Sequence, residues 1–241
     1  MFYNFKDTLC GKKHISGRSN TGKTTVWHRG GGHKTSYKFI DYFRKPSKFF
    51  FKVAGFEYNS ARSSFVVTLV SHYKKQKIYS RIIQPKGLLL FSLVINHEEN
   101  ISSFNVGNSY FIKDLPVGSY VHNVEKVPGF GGKYARAAGT YGQVVQKSET
   151  DILIKLPSGK LVLCQAQVRC TFGMVGNENH KLVVVGKAGR SRWIGRRPTV
   201  RGVAINPIDH PHGGGEGKSQ VGRHPVSPWG KLTKGKKVKL N

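Results

Sequence analysis

The strongest constraint on this chain is where its charge sits. Residues 1–48 hold 11 Lys and Arg against 2 Asp and Glu, and residues 186–241 hold 13 against 2. The stretch between them, 49–185, holds 16 against 8. The two ends thus carry +9 and +11 of a formal +28. Cation that dense, with little aliphatic content around it, cannot collapse on its own; it calls for bound counter-charge. The usual source is nucleic acid phosphate, and such a balance speaks against an ordinary metabolic enzyme. Both ends are also rich in glycine, with Gly30-Gly31-Gly32 near the front and eleven Gly in 186–241. A flexible linker would mix Gly with Ser. Here Gly alternates with Arg, Lys, His and Trp, which suits close approach of backbone to a folded RNA.

Other classes are unsupported. Cys10, Cys164 and Cys170 form no CxxC pair and are too few for a disulfide framework. The best apolar run, Gly87 to Asn96, falls short of the 18 or more residues of a spanning helix, so no membrane partner is expected. Met1 to Ser16 has no apolar signal core, and Arg18 is the first arginine, so neither a secretory signal nor a transit peptide is expected.

The middle reads as β-structure. Phe65–Val70 and Ile78–Ile83 are rich in β-branched and aromatic residues, with a basic turn expected over His72–Lys77. Asp151–Leu156 and Lys160–Cys164 flank Pro157-Ser158-Gly159 as a second hairpin. Further strands are expected at Phe49–Tyr58, Ser109–Lys113, Ser119–Val124, Gln143–Gln146 and Lys181–Val185. One turn of helix is expected at Lys133–Ala138, and no helical period lasts 12 residues. A division near Val106–Asn108 gives two small barrels flanked by basic extensions.

Three motifs invite specific chemistry. Gly17 to Thr24 fits G-x-x-x-x-G-K-[ST], which as a P-loop would place Lys23 on nucleotide phosphates and Thr24 on magnesium. The flanks argue otherwise: Cys10–Ser16 is too polar for a buried strand, and Gly30-Gly31-Gly32 cannot extend a helix. Contact of this loop with RNA phosphate fits better. Asp209-His210-Pro211-His212 suggests a metal or general base, yet a structural zinc site wants four ligands and the third is undefined. Hydrogen bonds from the two His to nucleotides fit better. Trp193 and Trp229 stand beside basic residues, where an indole either stacks on a base or packs locally.

These residues together resemble a known family. Gly186-Lys187-Ala188-Gly189-Arg190 to Trp193, Arg197–Gly202, Asn206-Pro207, Asp209 to Gly217, His224-Pro225-Val226, Pro228-Trp229-Gly230 and Thr233 to Lys237 look like the C-terminal half of the universal second protein of the large ribosomal subunit, bacterial and organellar branch. The centre is similar through Leu115–Gly118, Val121–Glu125, Pro128-Gly129 and Ala135–Tyr141. The front is similar through Gly30–Lys34, Tyr37, Asp41 and Arg44.

The resemblance implies an all-β fold: a basic extension over 1–35, an OB-like barrel over 36–106, an SH3-like barrel over 107–190, and a basic Gly-rich extension over 191–241. It implies a non-enzymatic constituent of the large subunit. Such a protein would bind large-subunit rRNA near the peptidyl-transferase region and support assembly, subunit association and translation. Its partners would be rRNA, neighbouring ribosomal proteins and, across a bridge, the small subunit. It implies no cofactor of its own, with Mg held through bound rRNA. In that family a histidine of the His-Pro-His string bears on peptidyl transfer, which makes His210 and His212 supporting candidates, with no catalytic residue proper. The rRNA contacts implied are Arg18, Lys23, His28, Arg29, His33, Lys34 and Arg44 at the front, and Lys133 and Arg136 in the centre. Towards the end they are Lys187, Arg190, Arg192, Trp193, Arg196, Arg197, Arg201, Asn206, His210, His212, Arg223, His224 and Trp229. The chain departs from the family pattern in its short lead before Gly17, in His97–Asn105 and in lacking a longer basic tail beyond Asn241. An excess of 27 Lys over 13 Arg, with 14 Phe, 10 Tyr and 12 Asn, is what AT-rich coding accumulates. That points to a mitochondrial ribosome in the matrix, with bacterial cytoplasm or a plastid as the alternative.

Overall fold

The computed structural model describes residues 9–47, 49–73, 76–97, 103–217 and 222–235. Two compact units divide the chain: one comprises residues 1–13 and 34–184, the other 14–33 and 185–241.

In the first unit the alternation of apolar and polar residues sets the strands. A short strand β1 (Leu9–Gly11) pairs antiparallel with β2 (Ser36–Lys38). Strands β3 (Phe51–Glu57), β4 (Val66–Tyr73), β5 (Gln76–Ile83) and β6 (Leu93–Val94) form one antiparallel sheet in the order β5-β4-β3-β6. Along β3 the side chains of Phe51 and Val53 point inward and Lys52 outward, as a period of two requires. A bulge between Val53 and Gly55 sharpens the strand's curl. Strand β4 carries buried side chains on both faces. Val67 and Leu69 pack with Phe51, Val53, Ile82, Leu88 and Val94, while Val66 packs with Ile40, Ile83 and Val175. This is the OB-like barrel.

The SH3-like barrel follows. Its strands are β7 (Ser109–Phe111), β8 (Tyr120–His122), β9 (Val124–Glu125), β10 (Gly132–Tyr134), β11 (Gly142–Lys147), β12 (Asp151–Lys155), β13 (Leu161–Gln165) and β14 (Arg169–Phe172). Six of them run in the order β13-β12-β11-β8-β14-β7, and β9 pairs with β10. Tyr110, Ile112, Leu115, Val121, Val144, Ile152 and Ile154 fill the core at 0–1% exposure. The family-type architecture, nearly all sheet with strongly curved antiparallel layers, is what the sequence led one to expect.

Several local expectations need correction. The turn expected over His72–Lys77 is tighter: β4 runs on to Tyr73 and β5 starts at Gln76, leaving residues 74–75, which lie outside the described residues. Residues 112–114 leave β7 as a 3-10 turn. Lys133–Ala138 is not helical, because Gly132–Tyr134 pairs with β9 and Ala135 takes a φ of 50°. Lys181–Val185 is no strand; residues 178–182 form a 3-10 turn, and Leu182 to Val185 are exposed. The N-terminal extension does not run unbroken to residue 35, since β1 joins the sheet-bearing unit. The boundary expected at 190 falls inside a helix, α1 (Ala188–Trp193).

One ionic cluster ties the first barrel together. Glu57 on β3 takes Lys38 Nζ at 2.7 Å and Arg81 Nη2 at 3.4 Å, and accepts a hydrogen bond from Thr68 Oγ1. Burial alone would raise the Glu57 carboxyl, but the hydrogen bonds from Lys38 and Thr68 and the charge of Arg81 outweigh it, so the group titrates below its usual range. A carboxyl depressed in the fold contributes stability above its unfolded pKa and loses it as pH falls through the folded one. Glu57→Gln should therefore cost about 1–2 kcal/mol at neutral pH, discounted for the partly exposed carboxylate, and progressively less at acid pH as the carboxylate takes up its proton. Denaturant melts of both proteins at neutral and acid pH check this.

Candidate nucleic-acid interface

The second unit is built from backbone rather than from a hydrophobic core. Residues 28–33 lie antiparallel to 193–197. His33 N–H donates to the Trp193 carbonyl at 2.9 Å, Gly30 N–H to Gly195 O at 3.0 Å, and Arg197 N–H to His28 O at 3.0 Å. Gly30, Gly31 and Gly32 all have positive φ. At Gly32 a Cβ would come within 2.7 Å of Gly195 N and 2.8 Å of Trp193 O, so no side chain fits there. The close approach explains Gly32, and positive φ explains Gly30 and Gly31. A groove of about 790 Å³ opens beside it, lined by Gly30, Gly31, Gly32, His33, Arg192 and Trp193.

The cations crowd this pairing. Arg29 and Arg196 stand directly opposite one another. Like charges at paired positions destabilise a ladder unless something neutralises them. Arg190 and Arg192 project from α1, and Lys187 Nζ lies 4.8 Å over the Trp193 ring. Arg18, Lys23, Arg29, Lys187, Arg190, Arg192, Arg196, Arg197, Arg201 and Arg223 are all exposed, as are His28, His33, Lys34 and His224. Trp229, 67% exposed, stacks on Trp27 at 4.8 Å with 9° between the planes. Local packing thus takes one face of the indole. Trp27 carries no basic neighbour pattern of its own beyond His28-Arg29, and sequence reasoning gave it no role.

The Gly17–Thr24 motif is a tight turn and not a nucleotide-binding loop. Arg18 bridges to Thr24, Ser19 N–H donates to Lys23 O, and Thr25 and Val26 N–H both donate to Gly17 O. The strand before it, β1, is exposed and ends at Gly11, so it is not the buried strand a P-loop needs, and no helix follows the motif before β2. The loop offers Arg18 and Lys23 to solvent instead.

The His-Pro-His string is held by its own backbone. Asp209 and His210 N–H donate to Asn206 O, and Gly213 N–H donates to His210 O. Gly202 packs so closely that a Cβ would lie 2.6 Å from the His210 ring. The tautomers follow from the donors. His212 backbone N–H donates to His210 Nδ1 at 3.0 Å, and Val226 N–H donates to His212 Nε2 at 3.1 Å. A backbone N–H can only donate, so those two ring nitrogens spend their lone pairs there. The remaining nitrogens, Nε2 of His210 and Nδ1 of His212, carry the protons of the neutral rings. As folded, the pair can donate hydrogen bonds, but it presents no lone pair for proton abstraction or for zinc. Among the described residues no group of three His, Cys, Asp or Glu could hold a metal ion.

Three candidates lie in the sheet-bearing unit. Lys133 is exposed on β10. Arg136 is half-buried, 5.0 Å over the Tyr42 ring, where Arg62 also sits at 4.9 Å. Arg62 gave no signal in the sequence, being a lone cation between Asn59 and Ser64. Arg44 requires a correction: it is not an RNA-facing side chain. It is 2% exposed, with Nε donating to Asn96 Oδ1 at 2.8 Å and Nη2 donating to Gly107 O at 3.0 Å. Burial lowers its pKa to about 10, with Asp41 opposing and Arg169 adding to the shift, so it stays charged at neutral pH.

A sheet-built unit and a glycine-threaded cationic unit in one chain define the class: a nucleic-acid-binding, predominantly β protein. Comparison with known proteins narrows it. Residues 6–96 match the model described as "Ribosomal Proteins L2, RNA binding N-terminal domain", and 105–230 match "Ribosomal Proteins L2, C-terminal domain". The chain is 49% identical over 234 residues to a protein named "Large ribosomal subunit protein uL2" from Wolbachia sp. subsp. Drosophila simulans (strain wRi), covering 97% of this chain and 84% of that one. Proteins of the same name from Orientia tsutsugamushi (strain Ikeda) and Buchnera aphidicola subsp. Schizaphis graminum (strain Sg) are 46% and 47% identical, over 93% and 97% of this chain and 81% and 83% of theirs. This chain belongs to the ribosomal protein L2 family.

Proposed function

We propose that the chain is a structural, non-enzymatic constituent of the large ribosomal subunit, holding large-subunit rRNA on the exposed cations of residues 14–33, 185–217 and 222–235. The observation that carries this reading is the backbone pairing that sets Arg29 against Arg196 with Arg192 and Arg197 close in sequence. That pairing costs free energy in isolation and becomes favourable when phosphate lies across it. Mg enters as counter-ion of the bound RNA.

Placement near the peptidyl-transferase region is supported by the His-Pro-His turn, which leaves its two ring N–H groups available as donors. Roles in assembly, in contact with neighbouring ribosomal proteins and in bridging to the small subunit extend the same reading. The Lys-, Phe- and Asn-rich composition supports a mitochondrial ribosome, while the bacterial relatives support the alternative of a bacterial one.

Incorporation tests the proposal. The wild-type chain should co-sediment with large subunits in high salt. Arg196→Ala with Arg197→Ala should reduce incorporation roughly tenfold, because two phosphate contacts go, while the melting of the protein alone changes little. A chain that washes off at high salt, or a double variant that incorporates normally, would refute it.

A further inference from the structure

A second concavity lies in the sheet-bearing unit, where the loop after β2 meets the SH3-like barrel. It measures about 410 Å³. Its walls include Phe43 and Lys45 from the loop, Phe111 and Lys113 around the end of β7, Glu125 of β9 and Arg169 of β14. Phe111 has Arg169 Cζ 4.7 Å from its centroid and Lys113 Nζ 5.6 Å from it. Phe43 is 46% exposed, an aromatic face turned to solvent.

The one acid of the wall makes no demand for a cation. Glu125 is 1% exposed, and its oxygens accept hydrogen bonds from the backbone N–H groups of Gly129, Gly131 and Arg169. Its charge is spent on closing the 125–131 loop and fixing Arg169's strand. The mouth is left with Lys45 and Lys113, both exposed. The site therefore combines flat aromatic and guanidinium surfaces inside with ammonium groups outside. Single-stranded RNA is read in this way, with an unstacked base laid on a ring or guanidinium and its phosphates on lysine.

We propose that this cavity takes one unpaired nucleobase of bound RNA, splayed out of its stack, with the flanking phosphates at Lys45 and Lys113. The inference rests on the RNA-binding reading above and goes beyond it by assigning base contact to the barrel junction. An acidic peptide would satisfy the lysines but would leave the exposed Phe43 ring without a planar partner, so RNA is the better fit.

The test is ultraviolet crosslinking of intact large subunits carrying the full chain, followed by nuclease and protease digestion and mass spectrometry. A mononucleotide adduct is expected on the peptide holding Phe43 or Phe111, beside adducts on peptides from 28–33 or 190–197. Phe43→Leu, at an exposed position, should cut the cavity adduct to about a tenth or less, since base–ring stacking is lost, with the adducts on 28–33 and 190–197 as the internal reference. Lys45→Gln is the second variant and should lower the same adduct several-fold. Adducts on 28–33 or 190–197 with none at Phe43 or Phe111 would overturn the inference and leave the RNA-binding reading standing. No adduct anywhere would sink both. An amine-reactive crosslink from Lys45 or Lys113 to another protein, with no nucleotide adduct, would assign the cavity to a peptide and overturn the inference.

Discussion

Gly32→Ala should lower rRNA affinity about tenfold or more, although it removes no charge and no side-chain contact. The methyl would sit 2.7 Å from Gly195 N and 2.9 Å from Gly195 Cα, and backbone cannot step aside as a flexible side chain can. The φ of 86° adds about 1–2 kcal/mol of strain for an alanine. The antiparallel contact of 28–33 with 193–197 must then separate. Arg29 and Arg196 lose their fixed spacing, and with it the preorganisation that saves ordering entropy on binding. Gly22→Ala is the matched control. Its φ is 80°, but nothing lies within 4 Å of the added methyl. It should show local strain with less than a threefold change in affinity. Filter binding to a large-subunit rRNA fragment reads both, and equal effects would show that the close approach at Gly32 is irrelevant.

Arg44→Ala should be the most destabilising single change in the sheet-bearing unit, at about 3–5 kcal/mol. The loss includes a cavity, the hydrogen bonds to Asn96 Oδ1 and Gly107 O, and the burial of those acceptors without their donor. For a body of this size the melting temperature should fall by roughly 10 °C. Affinity for rRNA, measured where the variant is still folded, should change less than about threefold, because a side chain with 2% exposure touches no phosphate. The reverse outcome, normal melting with weakened binding, would restore Arg44 to the RNA face. Arg44→Lys should recover only part of the loss, since one ammonium cannot reproduce two guanidinium donors in fixed directions.

Arg44 also shows what the sequence concealed. It stands beside Lys45 and reads like it; only long-range packing against Asn96 and Gly107 takes Arg44 inside. The strands were legible because alternation leaves a local trace: Phe51 and Val53 inward, Lys52 outward. Lys181–Val185 carried a similar trace, yet it finds no partner strand among the described residues, and its apolar side chains stay exposed. Short pieces set by distant contacts left no trace. Strand β1 exists because of β2, some 25 residues away, and α1 has two arginines and a glycine in place of an apolar stripe. In the candidate interface the residue types were readable from charge and glycine. Their convergence was not, because 28–33 and 193–197 meet through backbone hydrogen bonds, which side-chain patterns do not encode.

The salt dependence of rRNA binding tests phosphate capture by this cationic surface most directly. If about 6–10 phosphates are neutralised, affinity of the full chain should fall roughly 10³–10⁵-fold between 50 and 200 mM salt. Arg196→Ala with Arg197→Ala should flatten the logarithmic slope by about 1.5–2. A slope near zero, or one that the double substitution leaves untouched, would contradict it.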